Sequence, residues 1–268
     1  MSPATVVERE WRRFTPAQRL ARFTVYFAVV AAVVVSARTI EIIPEFLYDA
    51  PAQMRDLFVR MWPVDVAFYP AGVHAALVET LHIASLGTLL ALAMALPLGL
   101  MAARNVTPFP LLNYLAKLLL VSSRSVDALV WALLFIAVFG PGALAGTLAI
   151  AFRSIGFVGK LFGEACEEAH RGSIEALKAT GAPWLSVLRY GYWPQVKPAF
   201  WALALLRWDI NVRESSVLGL VGAGGTGVAL NTAMNLFQWQ RVATVLLAIF
   251  AVVIAAEILV TQIRKRVI

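Results

Sequence analysis

Arg207, Asp209, Asn211, Arg213 and Glu214 crowd into the stretch LLRWDINVRESS, with long apolar runs on either side. Read as a helix, a spacing of four lets Asp209 and Arg213 pair. Spacings of four and three stack Arg207, Asn211 and Glu214 along a neighbouring face. An ionisable side chain at membrane depth costs about 2.5–3.5 kcal/mol on insertion scales, so it faces a cavity or a partner. Two chemistries follow. The arginines line a cavity and offer planar forks to an anionic substrate, or Asp209 and Arg213 lock helices together. Ser215 and Ser216 add hydroxyl donors to either arrangement. Arg124 and Arg153 are further basic candidates, read as helix-end residues that snorkel. His74 and His82 lie near Glu79 at the outer end of a span, where a metal site is disfavoured. The histidines (His74, His82, His170) are far apart, and with Cys166 they form no nucleophile–base constellation.

The elements that must carry these residues are membrane spans. Of 268 residues 60% are hydrophobic and 15% charged, with a mean hydropathy of +0.75, more apolar surface than a soluble domain can cover. The net charge of +7 sits at the ends of apolar runs and not on one face, which argues against nucleic acid. A single cysteine excludes an intrachain disulfide. No cleavable signal is expected, because the first apolar run follows about twenty polar residues. Expected spans are Phe23–Ala37, Ala76–Met101 with a kink at Pro97, Leu111–Phe139 loosened near Arg124, Ala143–Phe162, a helix from Lys197, and Val242–Ile263. Between the first two, Gln53–Trp62 reads as an amphipathic interfacial helix. The run Gly219–Gly227 is close packing or a flexible gate at the outer mouth, with Gly222, Gly224 and Gly225 offering amides to an anion. It follows a membrane helix and not a strand, so it is no dinucleotide fingerprint.

About six spans place both termini on one side. Arg9, Arg12, Arg13, Arg19 and Arg22 (against Glu8 and Glu10), Arg104, Arg171, Lys178, Arg189 and the terminal Arg264–Arg266 fall there. The acidic loop 39–74, with Glu41, Glu45, Asp49, Asp56 and Asp65, falls opposite. Both termini are therefore expected in the cytoplasm. A polar insert, Gly163–Pro194, interrupts the spans on that side. Within it, Ser173 suits an N-cap, Glu175 the first turn and Lys178 the last, while Gly181 suits a left-handed C′ position and Pro183 stops the helix. Ile174 and Leu177 share a face. So short a helix is unstable alone. It either docks into another protein or lies on lipid headgroups.

Glu175–Ala176, Gly181 and Pro194 together resemble the EAA loop of ABC-importer permeases. In that family the loop forms a coupling helix that fits a groove on a cytoplasmic ATPase. RSVDALVWALLFIAVFGPGALAGTLAIAF, GKLFGEACEEAHRGSIEALKATGA, YWPQVKPAF and WDINVRESSVLGLVGAGGTG are similar to the phosphonate/phosphate-type permeases, close to the methionine type. The likeness covers about residues 75–268. It implies an all-α polytopic protein with the type I ABC importer fold. Residues 1–70 would be an N-terminal segment, first span and outer loop, and 71–268 the permease domain. Residues Ser173, Ile174, Glu175, Ala176, Leu177, Lys178 and Gly181 would contact the ATPase. Implied partners are an ATPase dimer that holds ATP and magnesium, an extracytoplasmic binding protein, and a second permease copy, identical or paralogous. The chain itself would be a non-catalytic pore subunit in a bacterial inner membrane, binding no cofactor. Methionine or another small solute is the alternative substrate. The family usually carries proline near Asp127, so the local helix break there is an open question. Enzyme, channel and secondary-carrier readings lack a catalytic constellation, a use for the docking knob, or paired repeats.

The charge asymmetry predicts that Ser173→Cys is labelled by a membrane-impermeant maleimide only from the cytoplasm, and Gln53→Cys only from outside. Labelling of both from one side would contradict six spans.

Overall fold

The computed structural model describes residues 14–40 and 43–267, and their regular structure is helical. Glu8, Arg9, Glu10, Arg12, Arg13 and Glu41 lie outside the described residues. The chain divides between Asp56 and Leu57 into two units, each with its own organisation.

In the first unit, α1 (Pro16–Thr39) begins with a capping box. Gln18 N donates to Thr15 Oγ1 at 3.4 Å, and Thr15 N donates to Gln18 Oε1 at 3.1 Å. Pro16 occupies a first-turn position, where its missing N–H costs nothing. This early start makes α1 24 residues long, about 36 Å at ~1.5 Å per residue, enough for a hydrocarbon core of about 30 Å. The apolar run Phe23–Ala37 understates it. Helix α2 (Pro44–Met61), within which the division between Asp56 and Leu57 falls, starts earlier than the expected Gln53 and carries Pro51 inside it.

In the second unit, a π-helical turn at Tyr69–Val73 leads into α3 (His74–Ala102), which passes through Pro97 unbroken. Helices α4 (Pro110–Ser125) and α5 (Ala128–Phe139) meet at a 92° bend and are long and apolar enough together for one span. Helix α6 (Ala143–Glu168) runs past Phe162, so the polar insert begins at Ala169 and not at Gly163. It holds α7 (Arg171–Ala179), a single turn α8 (Trp184–Ser186) and a π-helical turn Val187–Tyr192. Helix α9 (Trp193–Leu218) starts ahead of the expected Lys197. After a 3-10 turn at Gly219–Val221 comes α10 (Thr226–Asn235), a helix hidden in sequence by its glycine-rich lead-in. Helix α11 (Trp239–Val267) closes the chain. Among the described residues, helices α1, α3, α6 and α11 are each long and apolar enough to cross a membrane; counting the α4–α5 and α9–α10 pairs as bent spans gives up to six.

The parallel pair α3 and α6 is the spine of this unit, and small residues set its spacing. A Cβ on Gly87 would lie 2.7 Å from Ile150 Cγ2, and one on Gly99 would lie 2.8 Å from the Gly159 carbonyl oxygen. Without a water-driven hydrophobic effect inside lipid, such close backbone approach supplies the van der Waals contact that holds spans together. Near the insert, Phe162 and Cys166 of α6 join Ile174, Val187, Tyr192 and Phe200 in one buried cluster.

Gly99→Leu is therefore expected to destabilise the protein by about 1–3 kcal/mol through overpacking. Ala93→Leu, on an exposed face of the same helix, should not. Thermal unfolding in detergent compares them, and equal melting temperatures would refute the spine.

Candidate functional site

Near the middle of α3, α6 and α9 the packing turns polar. Arg207 is 3% exposed. Its Nε donates to Ser154 Oγ at 2.8 Å, and its Nη2 pairs with Glu214 Oε2 at 3.0 Å. The other oxygen of Glu214 accepts from Arg153 Nη1 at 2.8 Å. Asn211, fully buried, donates through Nδ2 to Thr88 Oγ1 at 2.7 Å. One carboxylate thus bridges two guanidiniums, with serine, asparagine and threonine completing the layer. Helical spacing places Arg207, Asn211 and Glu214 along one face, as found here, while Ser154, Thr88 and the bridging role of Glu214 lie beyond what spacing shows. Polar residues midway along apolar runs were the available signal. Arg153 does not snorkel at a helix end; it lies mid-helix and is ion-paired, because Glu214 reaches it from α9.

Asp209 and Arg213 pair on α9, as their spacing suggested. Asp209 is buried and its Oδ1 has no hydrogen-bond partner among the described residues, while Arg213 is half exposed. Ser215 Oγ donates to the Val212 carbonyl at 2.9 Å and reaches the Thr80 carbonyl of α3 at 3.3 Å, while Ser216 Oγ donates to the Val212 carbonyl at 3.3 Å.

The α4–α5 elbow holds the remaining charges. Asp127 is the N-cap of α5: its Oδ1 accepts from Leu129 N at 3.1 Å. Its other oxygen lies 3.4 Å from Arg153 Nη1. The break expected of a proline is made here by an aspartate whose side chain satisfies the new helix start. The elbow is pinned to α6 by Ser123 Oγ donating to the Phe152 carbonyl and by the Trp131 ring, tilted against Phe152 with centroids 4.9 Å apart. Gly156 lets α4 approach: a Cβ there would come within 3.0 Å of Arg124 N. Two cavities flank Arg153. One of about 310 Å³ reaches Asp127, Arg213 and Glu214, and the other, of about 320 Å³, reaches Arg124, Ser125 and Arg207.

Helix α7 departs from expectation at its start. The helix begins at Arg171 with His170 at the cap position, and Ser173 lies inside it. Gln195 of α9 explains the shift. It accepts from His170 N at 2.8 Å and donates to Ser173 Oγ at 3.0 Å, so a tertiary amide clamps the start in place of a serine cap. Glu175 consequently lies beyond the first turn. Ile174 is buried in the core cluster with Leu177 packed beside it, so the small apolar face turns inward and is not offered outward. Glu175, Ala176 and Lys178 are exposed. Gly181 adopts φ +74°, with open space where a side chain would be.

The glycine segment is close-packed. Gly222, Gly224 and Gly225 all have positive φ, and a Cβ on Gly224 would lie 2.9 Å from Ala143 N. Gly222 O accepts from Gly142 N at 3.0 Å, and Thr226 N donates to Thr80 Oγ1 at 2.8 Å. Glu79 and His82, one helical turn apart, have no third His, Cys, Asp or Glu converging on them among the described residues.

Residues 95–268 match the family described as binding-protein-dependent transport system inner membrane component. The phosphite transport system permease protein PtxC of Stutzerimonas stutzeri is 39% identical over 203 residues, covering 76% of this chain and 74% of that protein. The phosphate-import permease protein PhnE of Mycolicibacterium smegmatis is 38% identical over 234 residues, 87% of this chain and 44% of that protein. Among solved structures, the inward-facing MetNI methionine ABC transporter superposes with a TM-score of 0.65 at 20% identity, covering 74% of this chain and 96% of its own. That likeness establishes the type I importer fold. The buried polar layer, the bent spans and these matches lead to one conclusion: the chain belongs to the inner-membrane permeases of binding-protein-dependent ABC transport systems.

Proposed function

We propose that the chain is the pore-forming permease subunit of an ATP-driven importer for small phosphorus oxyanions such as phosphite, phosphate or phosphonates. It receives substrate from an extracytoplasmic binding protein and pairs with a second permease copy. Identity of 38–39% to phosphite and phosphate permeases is the observation that carries the substrate class. The arginine-lined cavities at mid-span support it, since a guanidinium fork matches an oxyanion's geometry. ATP and magnesium reside on a separate ATPase, and this chain converts its closure into movement.

Helix α7 is the contact for that ATPase. Two features support this: it is the short exposed helix of the insert, and Ile174 and Gln195 anchor it to the bundle. A rigidly anchored helix transmits displacement where a loop would absorb it.

ATP-dependent uptake of labelled phosphite or phosphate by the complete complex in proteoliposomes tests the reading, with binding protein and ATP omitted in turn. Uptake indifferent to either would refute it. Gly181→Trp places bulk in open space beside α7 and should lower uptake on the order of tenfold while ATP hydrolysis persists. Gly181→Asn, which tolerates a left-handed backbone, should retain coupling. Equal uptake by wild type and Gly181→Trp would dissociate α7 from the ATPase.

A further inference from the structure

The two cavities beside Arg153 differ in charge. The one toward the Leu218 end of α9 balances Arg153 and Arg213 with Asp127 and Glu214. The one toward the Trp193 end is lined by Arg124, Arg153 and Arg207, with Ser125, Val121 and Phe157, and no acid among its lining residues. Its volume of about 320 Å³ reaches the range of small-molecule pockets, roughly 300–1,000 Å³. Arg153 and Arg207 share the carboxylate of Glu214, and Arg153 also lies 3.4 Å from Asp127 Oδ2. Arg124 has no ion-pair or hydrogen-bond partner among the described residues. Three guanidiniums thus face one space that Ser125, Val121 and Phe157 complete, with fewer acids than cations beside it. A cleft lined by positive charge raises the local concentration of anions.

We propose that this cavity is a transit site for a tetrahedral phosphorus oxyanion. Arg124, Arg153 and Arg207 hold the anion, and Glu214 is the resident counterion that it displaces and that later displaces it. The assignment rests on the importer reading above and narrows it to named residues. Its chemistry explains why Glu214 bridges two arginines and leaves a third free. Arg124 is the unoccupied fork that an incoming anion meets first. As the anion engages Arg153 and Arg207, it competes with the Glu214 carboxylate for the same N–H donors. Binding strong enough to admit the anion and weak enough to release it is what passage requires, and an internal competitor supplies the second half. Arg153 lines both cavities, so an anion that releases it from Glu214 engages the side chain that the two share.

Orthophosphate is the probe. Its binding is measured on the permease–ATPase complex in nanodiscs without binding protein, and its uptake on the complete system. Arg124→Gln, at an exposed position, should assemble normally yet weaken binding and uptake about tenfold or more. Arg124→Lys should recover part of both. Glu214→Gln should tighten binding while slowing uptake, a combination that a merely structural glutamate does not produce. If Glu214→Gln fails to assemble, the Arg124 pair decides alone. Wild-type binding and uptake by Arg124→Gln would overturn the site and leave the importer reading standing. Absence of oxyanion uptake by the wild type, alongside ATP-driven import of another solute, would overturn the substrate reading itself. A lipid headgroup presents the same phosphate chemistry. Loss of orthophosphate binding on adding phosphatidylglycerol would assign the cavity to lipid and overturn the proposal.

Discussion

A guanidinium buried at mid-membrane is the constraint around which this bundle is organised. Arg207 cannot be left unpaired in hydrocarbon, and its own helix supplies one partner, Glu214, two turns further along. The rest must come from elsewhere. Ser154 of α6 takes its Nε–H, and Arg153 of α6 takes the second oxygen of Glu214. Those contacts require α6 to lie close against α9, while Asn211 reaches Thr88 only because α3 lies close as well. The glycines at 87 and 99 let α3 and α6 approach closely, and those at 156 and 159 let α4 approach α6, which holds the frame that the short polar side chains of α9 meet. Close packing and polar satisfaction are therefore one requirement stated twice.

The same helices connect the polar layer to the insert. Phe162 and Cys166 extend α6 into the cluster that buries Ile174, and Phe200 brings in the first half of α9. Gln195 adds a polar clamp across the junction of α7 and α9. Dense interiors deform little, so a displacement of α7 is carried by α6 and α9 as packed bodies. Those are the two helices that bear Arg153, Arg207 and Glu214.

Asp127 shows how one local requirement is met by different chemistry. A helix pair that bends by 92° must end one helix and begin another inside the bundle. Proline does this by removing a donor. Aspartate does it by accepting one, from Leu129 N, and adds a charge that the half-buried Arg153 faces. The bend thereby joins the electrostatics of the polar layer, where a proline would be neutral.

Much of this was legible in the residues themselves. Long apolar runs punctuated by Arg104, the Gly140–Gly142 turn and the polar insert specified an all-α membrane protein with about six spans, because hydropathy and helix period are local properties. The Asp209–Arg213 pair followed from a spacing of four, and the left-handed Gly181 from its place before Pro183. What sequence alone did not decide involves partners distant along the chain. His170 replaced Ser173 as the cap because Gln195 folds back onto it. Ile174 turned inward because Phe162 and Tyr192 wait beneath it. Thr226–Asn235 became a helix because the buried glycines ahead of it make a turn that local propensity does not foretell. Above all, Glu214 bridges Arg153 and Arg207, and the two arginines meet only because α6 and α9 pack side by side. Periodicity states which residues share a helix face; only the tertiary structure decides what that face meets.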